Sequence, residues 1–275
     1  QMLGFTCVAI ILFSPLCCLN CDLLQMGNKT PKVAVQTLHK EYIRNYTVNK
    51  KNNMDESIAK FTSQGLKPFA KYIIKKEGEN NNNNQVLLFL STGNICKFTG
   101  NAIVNAANNR NLGGGGVDGA ISHAGGKALY DARLALPILE GSTRVKTGEA
   151  KITIGGELLA DFVIHAVGPN YHNVTDSKQG DELLYNAYAS SISEAESNEI
   201  ESMAFPLISA GVYKGNQKLD HILRIGVSSI VNSLSKSTND NSSLKCVHII
   251  GYTRGEQSTL KQICDELFPY IENEI

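Results

Sequence analysis

Leu112 is followed by four glycines, Gly113, Gly114, Gly115 and Gly116, and then by Val117-Asp-Gly-Ala-Ile-Ser122, a stretch of helical character. Glycines in that place let a ligand come close to the backbone and turn successive N–H groups towards it, while the helix N-terminus adds the positive end of a dipole. Together they form an anion site suited to a diphosphate. A plain strand-to-helix turn needs one or two glycines rather than four. Just upstream, Asn105, Asn108, Asn109 and Asn111 set several neutral amides beside the cradle. Carboxamides donate and accept at once, which suits the hydroxyls of a sugar. Asp118 falls in the first turn of the helix, where a carboxylate also serves simply to complement the dipole.

Two nucleotide fingerprints compete for this loop. No Gly-Lys-Ser/Thr follows, so a P-loop is excluded. Gly114-x-Gly116-x-x-Gly119 matches the Rossmann spacing literally, with Glu140 at a suitable distance. A Rossmann loop opens directly off its strand, however, and here Ala106–Leu112 intervene. A nicotinamide-dependent oxidoreductase is therefore the third-ranked reading.

The elements that must position these residues are short apolar runs alternating with amphipathic stretches. Strands are expected at 85–90, 102–105, 151–154, 162–167, 203–208 and 246–251, and helices at 117–138, 180–197, 216–235 and 256–270. Continuous apolar runs such as Phe162-Val-Ile-His-Ala-Val167 imply strands covered on both faces, hence a three-layer α/β/α sandwich. His165 lies inside that run and reads as a core histidine with its hydrogen bonds satisfied. Residues 25–84 read as a helical extension ending in the Asn80–Asn84 linker tract, with one pattern after Thr30-Pro31 and a second from Asp55 carrying Ile58, Phe61, Phe69, Tyr72 and Ile73. The main domain is expected over 85–275.

The chain has 275 residues with Lys+Arg 26 against Asp+Glu 26, so no overall charge draws it onto nucleic acid, which is excluded as the main partner. Hydrophobic content of 42% is that of a folded chain. Four of the seven cysteines fall in an apolar leader, residues 1–24, which is free of charge through Cys21, and Cys96, Cys246 and Cys264 match neither a disulfide framework nor zinc spacing. The leader suits a signal-peptide core or an anchor, but it lacks a basic start and carries Pro15, which leaves membrane association open. Sequons at Asn28, Asn45, Asn173 and Asn241 arise readily in so Asn-rich a chain. The glycan-acceptor Asn173 lies close to the expected cleft, which favours an intracellular protein, and a monomer is expected.

Ala102-Ile-Val-Asn-Ala-Ala-Asn108 followed by Leu112-Gly-Gly-Gly-Gly-Val-Asp-Gly119 resembles the macro domain family, and within it the MacroD-type hydrolase branch. The resemblance continues through 146–153, Phe162-Val-Ile-His-Ala-Val-Gly-Pro169 and Ala204-Phe-Pro-Leu-Ile-Ser-Ala-Gly-Val-Tyr213, covering about 86–270.

It implies a mixed central sheet, a cleft for ADP-ribose at the strand ends, and no metal or cofactor. Gly93, Asn94 and Ile95 occupy the place of the family's Gly-Asp-Ile, whose aspartate accepts from the adenine amino group; a carboxamide keeps the acceptor and loses the charge. Ser209, Ala210, Gly211, Val212 and Tyr213 match the second phosphate loop, and Tyr252 stands near the adenine-stacking aromatic. Asn108 and Asp118 match the residues facing the distal ribose, one to hold hydroxyls and the other to orient or deprotonate water. Where the branch carries histidine four residues after that aspartate, this chain has Ser122, with His123 about 100° further round the helix. The resemblance implies binding of ADP-ribose or an ADP-ribosylated protein, and hydrolysis of mono-ADP-ribose esters on acidic side chains or of O-acyl-ADP-ribose. The alternative is a non-catalytic reader, which needs the loops and not Asp118.

Overall fold

The strongest apolar runs make strands that are buried at every residue. Phe162–Ala166 (β5) and Cys246–Ile250 (β7) are of this kind, as strands between two covering layers must be. The computed structural model describes residues 64–76, 85–236 and 243–268. Among these, Lys67–Lys75 (β1), Gln85–Thr92 (β2), Ala102–Ala106 (β3), Ala150–Ile154 (β4) and Ser202–Phe205 (β6) complete a seven-stranded sheet of order β1-β2-β7-β6-β3-β5-β4. β2, β7, β6, β3 and β5 run parallel, and β1 and β4 lie antiparallel at the two edges.

Helix Gly116–Leu134 (α1) packs on β3 and β4, and its Ile121 and Leu129 share a core cluster with Ile103, Val163, Ala204 and Ile250. Ser177–Ser197 (α2), Leu219–Ser235 (α3) and Arg254–Leu267 (α4) pack side by side. Right-handed crossovers from β5 to β6 and from β6 to β7 put α2 and α3 on the face opposite α1, since the chain reverses direction across the sheet after β5, and α4 packs beside α3 and on β2. The α/β/α sandwich with a mixed sheet is the architecture the sequence implies.

Residues 67–75 differ from the sequence reading. Phe69, Tyr72 and Ile73, expected on a helix, form β1, with Tyr72 opposite Leu88. Burial there has the strand period of two: Ala70, Tyr72 and Ile74 are buried, and Lys71 and Ile73 less so. A dense apolar run satisfies either period, and the unpaired edge of β2 decides it, because a backbone there needs hydrogen-bonding partners. The expected extension beyond 64–76, the leader and the asparagine tract lie outside the described residues.

α1 also departs from the single helix expected over 117–138. It stops at Leu134 and is broken at Gly126, whose φ of 64° and ψ of −159° belong to a region open essentially to glycine alone. A Cβ at Gly126 would also run into the Glu157 carboxylate.

Candidate functional site

Because five strands run parallel, their C-terminal ends open on one edge of the sheet, and the loops that leave them share it. From β3 the chain proceeds to β5 on one side, while β6 pairs with β3 on the other. That divergence makes the gap between the loops after β3 and β6 the place where a ligand can enter an open α/β sheet. Along the edge the candidate residues follow strand order: Asn94 after β2, Tyr252 after β7, Ser209–Tyr213 after β6, and Asn108 with the glycine run after β3. At ~4.8 Å per strand, β2 to β3 is about 14 Å, so the site is elongated.

The glycine loop enters α1 with Gly115 as N-cap and no side-chain cap, which leaves the first-turn N–H groups to a ligand or water. Gly114, Gly115, Gly211 and Val212 donate to no acceptor among the described residues. Asn108 shapes the loop from within. Its Nδ2 donates to Gly113 O at 2.9 Å, and its Oδ1 accepts from the N–H groups of Arg110 and Asn111 at 3.1 and 3.2 Å. A Cβ at Gly114 would lie 2.8 Å from Asp118 Oδ2 and 3.2 Å from Asn108 Nδ2. Those two polar atoms therefore face one small space beside the loop, and only glycine fits at 114.

Asp118 is buried, and its two oxygens have different surroundings. Oδ1 accepts from Arg133 Nη2 at 2.9 Å and from Asn105 Nδ2 at 2.8 Å, with Ser122 Oγ at 3.5 Å. Oδ2 has no hydrogen-bonding partner among the described residues. Arg133, only 1% exposed, also donates from Nη1 to Ser122 Oγ at 2.7 Å and from Nε to Asn111 O at 2.8 Å. Behind Asn105, His165 Nδ1 lies 3.1 Å from the Asn105 amide nitrogen and Nε2 lies 2.8 Å from Thr153 Oγ1. Since Thr153 Oγ1 donates to Ile154 O, the network assigns the ring proton to Nε2 and leaves Nδ1 to accept from Asn105. His165 is thus a core histidine with both nitrogens engaged, as its place in an apolar strand suggests.

The loop after β6 is pinned at both ends and open at its tip. Ser209 Oγ donates to Pro169 O at 2.8 Å, Ile208 N–H donates to the buried Tyr188 hydroxyl at 2.9 Å, and Tyr171 N–H donates to Tyr213 O at 2.8 Å. Burial pushes the Tyr188 phenol up, so it stays neutral in that role. Between the anchors Gly211 is exposed and Val212 is 85% exposed. At the far end Asn94 is exposed and caps the short 3-10 turn Ile95–Lys97, its Oδ1 accepting from Cys96 N–H at 3.0 Å. Tyr252 is 82% exposed, so its ring is free of core packing. Its position is fixed by the capping box of α4, in which Glu256 Oε2 accepts from the N–H groups of Tyr252 and Thr253 at 2.9 and 2.7 Å.

Several residues read as ligand contacts have other tasks. Asn105 is fully buried and supports Asp118 from behind instead of facing a ligand. Asn109 donates to Val145 O and Thr147 Oγ1, tying the loop to the segment before β4, and the Asn111 side chain is buried. Ile95 puts its side chain into the core, and Val117 packs against the same cluster. Of the asparagine cluster, Asn108 alone remains beside the glycines. Arg133 was not legible as part of the site: a basic residue in the last turn of a helix ordinarily complements the dipole at the surface.

The geometry has counterparts among known proteins. The family model for the macro domain matches residues 104–219. A macro domain-containing protein of Methanosarcina mazei is 38% identical over 175 residues, 64% of this chain and 86% of that one. An O-acetyl-ADP-ribose deacetylase of Escherichia coli strain K12 is 46% identical over 121 residues, 44% of this chain and 66% of that one. The Oceanobacillus iheyensis macrodomain solved with ADP superposes with a TM-score of 0.60 at 32% identity, covering 74% of this chain and 98% of that one. On fold, strand-end loops and these likenesses together, the chain belongs to the macro domain family.

Proposed function

We propose that this chain binds ADP-ribose along the strand-end edge and hydrolyses its acyl esters, namely O-acetyl-ADP-ribose or mono-ADP-ribose joined to acidic side chains. Tyr252 and Asn94 take the adenine, the N–H groups of the 209–213 loop and of Gly114–Gly115 take the diphosphate, and the distal ribose ends beside Asn108. The Escherichia coli relative is named for deacetylation of O-acetyl-ADP-ribose, and the Oceanobacillus iheyensis macrodomain was solved with ADP.

The single observation that carries the enzymatic reading is the asymmetry of Asp118. A carboxylate that merely capped the helix would turn to the free N–H groups or to solvent. Here one oxygen is held by Arg133 and Asn105, while the other is buried, has no hydrogen-bonding partner among the described residues and faces the same small space as Asn108 Nδ2. In the proposed reaction Oδ2 accepts a hydrogen bond from a water and takes its proton as the water oxygen adds to the ester carbonyl carbon. Collapse of the adduct breaks the bond to the ribose oxygen, which takes the proton back from Asp118 and leaves as the hydroxyl of ADP-ribose, with the acid as second product and the carboxylate restored. Asn108 has one amide hydrogen left after its bond to Gly113 O, and that hydrogen orients the ribose.

Calorimetry with ADP-ribose, followed by chromatography of O-acetyl-ADP-ribose incubated with the protein, tests this. Binding with release of free ADP-ribose is expected. Binding without release assigns the protein to the readers, and absence of binding removes the site altogether.

A further inference from the structure

Asp118 and Ser122 lie before the break in α1 and Arg133 after it. On a straight helix of ~1.5 Å rise, Arg133 would stand about 16 Å beyond Ser122 and about 22 Å beyond Asp118, far out of reach. The turn at Gly126 brings the second segment back, and the guanidinium then meets three acceptors at once: Asn111 O, Ser122 Oγ and Asp118 Oδ1, at 2.7–2.9 Å. These acceptors belong to the glycine-loop approach and to the first two turns of α1. A planar fork in a fixed geometry suits that triple contact, and a single ammonium does not.

We propose that Arg133 is the positioning residue of the site. By holding Oδ1 it keeps Oδ2 of Asp118 turned to the glycine loop, and it fills the space beside position 122 where the resembling hydrolases carry a histidine. The inference rests on the hydrolase reading above. Serine at 122 is what makes room for it: Ser122 Oγ is 2.7 Å from Nη1, so an imidazole in the same rotamer would run into the guanidinium. Ser122 in turn donates to Asp118 O at 2.7 Å, which frees its lone pairs for Arg133. Serine at 122 and the burial of Arg133 are thus one feature: the small side chain leaves the guanidinium its place against the aspartate.

The test has two arms. In the first, Arg133→Lys keeps the charge and loses the fork. It should bind ADP-ribose within about threefold of wild type while kcat on O-acetyl-ADP-ribose falls at least tenfold. In the second, thermal melting is compared for Ser122→His, Arg133→Ala and the double variant. Ser122→His alone should melt below wild type, and the double variant should melt above Arg133→Ala, because removal of the guanidinium gives the imidazole its place. The proposal is overturned if Arg133→Lys keeps kcat within twofold, if its kcat and affinity fall by the same factor, or if the double variant is no more stable than Arg133→Ala. A wild-type protein that binds ADP-ribose and turns over no ester defeats the hydrolase reading, and the melting arm still decides whether Arg133 occupies the histidine's place.

Discussion

Arg133 and Asp118, fifteen residues apart in one helix, form a 2.9 Å ion pair sealed from solvent. Coulomb attraction at such a site is offset by the cost of desolvating both charges, so the pair is poor evidence for stability. Its geometric consequence is larger. One carboxylate oxygen is fixed and the other is left to the space beside Asn108 and Gly114. The pair exists only because α1 bends, which makes Gly126 part of the site although it touches no ligand.

Gly126→Ala should therefore be costly. A side chain in that backbone region is strained by about 1–3 kcal/mol, and the Glu157 carboxylate must move aside for the methyl group. Urea denaturation should show a loss of at least that size. Turnover should fall more than ADP-ribose affinity, since Arg133 is displaced while both phosphate loops persist.

The loops can be tested without threatening the fold. A Cβ at Gly115 or Gly211 meets nothing within 4 Å, and neither residue has a left-handed backbone, with φ of −93° at both. Gly115→Glu, at an extended position, should melt within about 2 °C of wild type, since surface changes of this kind are usually worth under ~0.5 kcal/mol. Gly211, with ψ of −125°, lies outside the α and β regions, so Gly211→Glu should melt lower while the sheet stays folded. Each sets a carboxylate against the diphosphate and should abolish calorimetric binding of ADP-ribose. Retained affinity in both would remove the phosphate assignment.

Asn94→Asp should tighten binding. Aspartate caps the 3-10 turn as well as asparagine does, so the bond to Cys96 N–H is kept. A charged acceptor is worth ~1.5–3 kcal/mol against ~1 for a neutral one, which translates to roughly two- to thirtyfold in Kd for ADP-ribose. The gain should vanish with the inosine analogue, which lacks the amino group; an equal gain with both ligands shows that position 94 does not read the base.

Much of this was legible from residue types. Fully apolar runs fix β5 and β7 as central strands, and the four glycines after an asparagine-rich spacer fix the cradle, because few residues other than glycine permit so close a backbone approach. Periodicity fails at β1, where Phe69, Tyr72, Ile73 and Ile74 satisfy a helix and a strand alike, and only pairing with β2 distinguishes them. It fails again within α1: a glycine after Gly125 reads as a tolerated helical residue, and the break at Gly126 lies against the loop before β5, where Glu157 N–H donates to Gly125 O at 3.1 Å. The inward turn of Arg133 follows from that break, whereas the asparagines separate because Asn105 lies on β3 behind the carboxylate and Asn108 lies in the loop beside the glycines.

The most direct measurement is steady-state hydrolysis of O-acetyl-ADP-ribose by wild type and by Asp118→Asn, with ADP-ribose affinity measured in parallel. Asparagine is preferable to alanine, because its amide oxygen can still accept from Arg133 and Asn105, although the buried guanidinium loses its counter-charge in either variant. The account predicts turnover by wild type, a loss in kcat of roughly 10²–10⁴ in Asp118→Asn, and nearly unchanged affinity, since the adenine and diphosphate contacts persist. Equal rates in the two proteins, or binding by wild type with no ester cleaved, would contradict it.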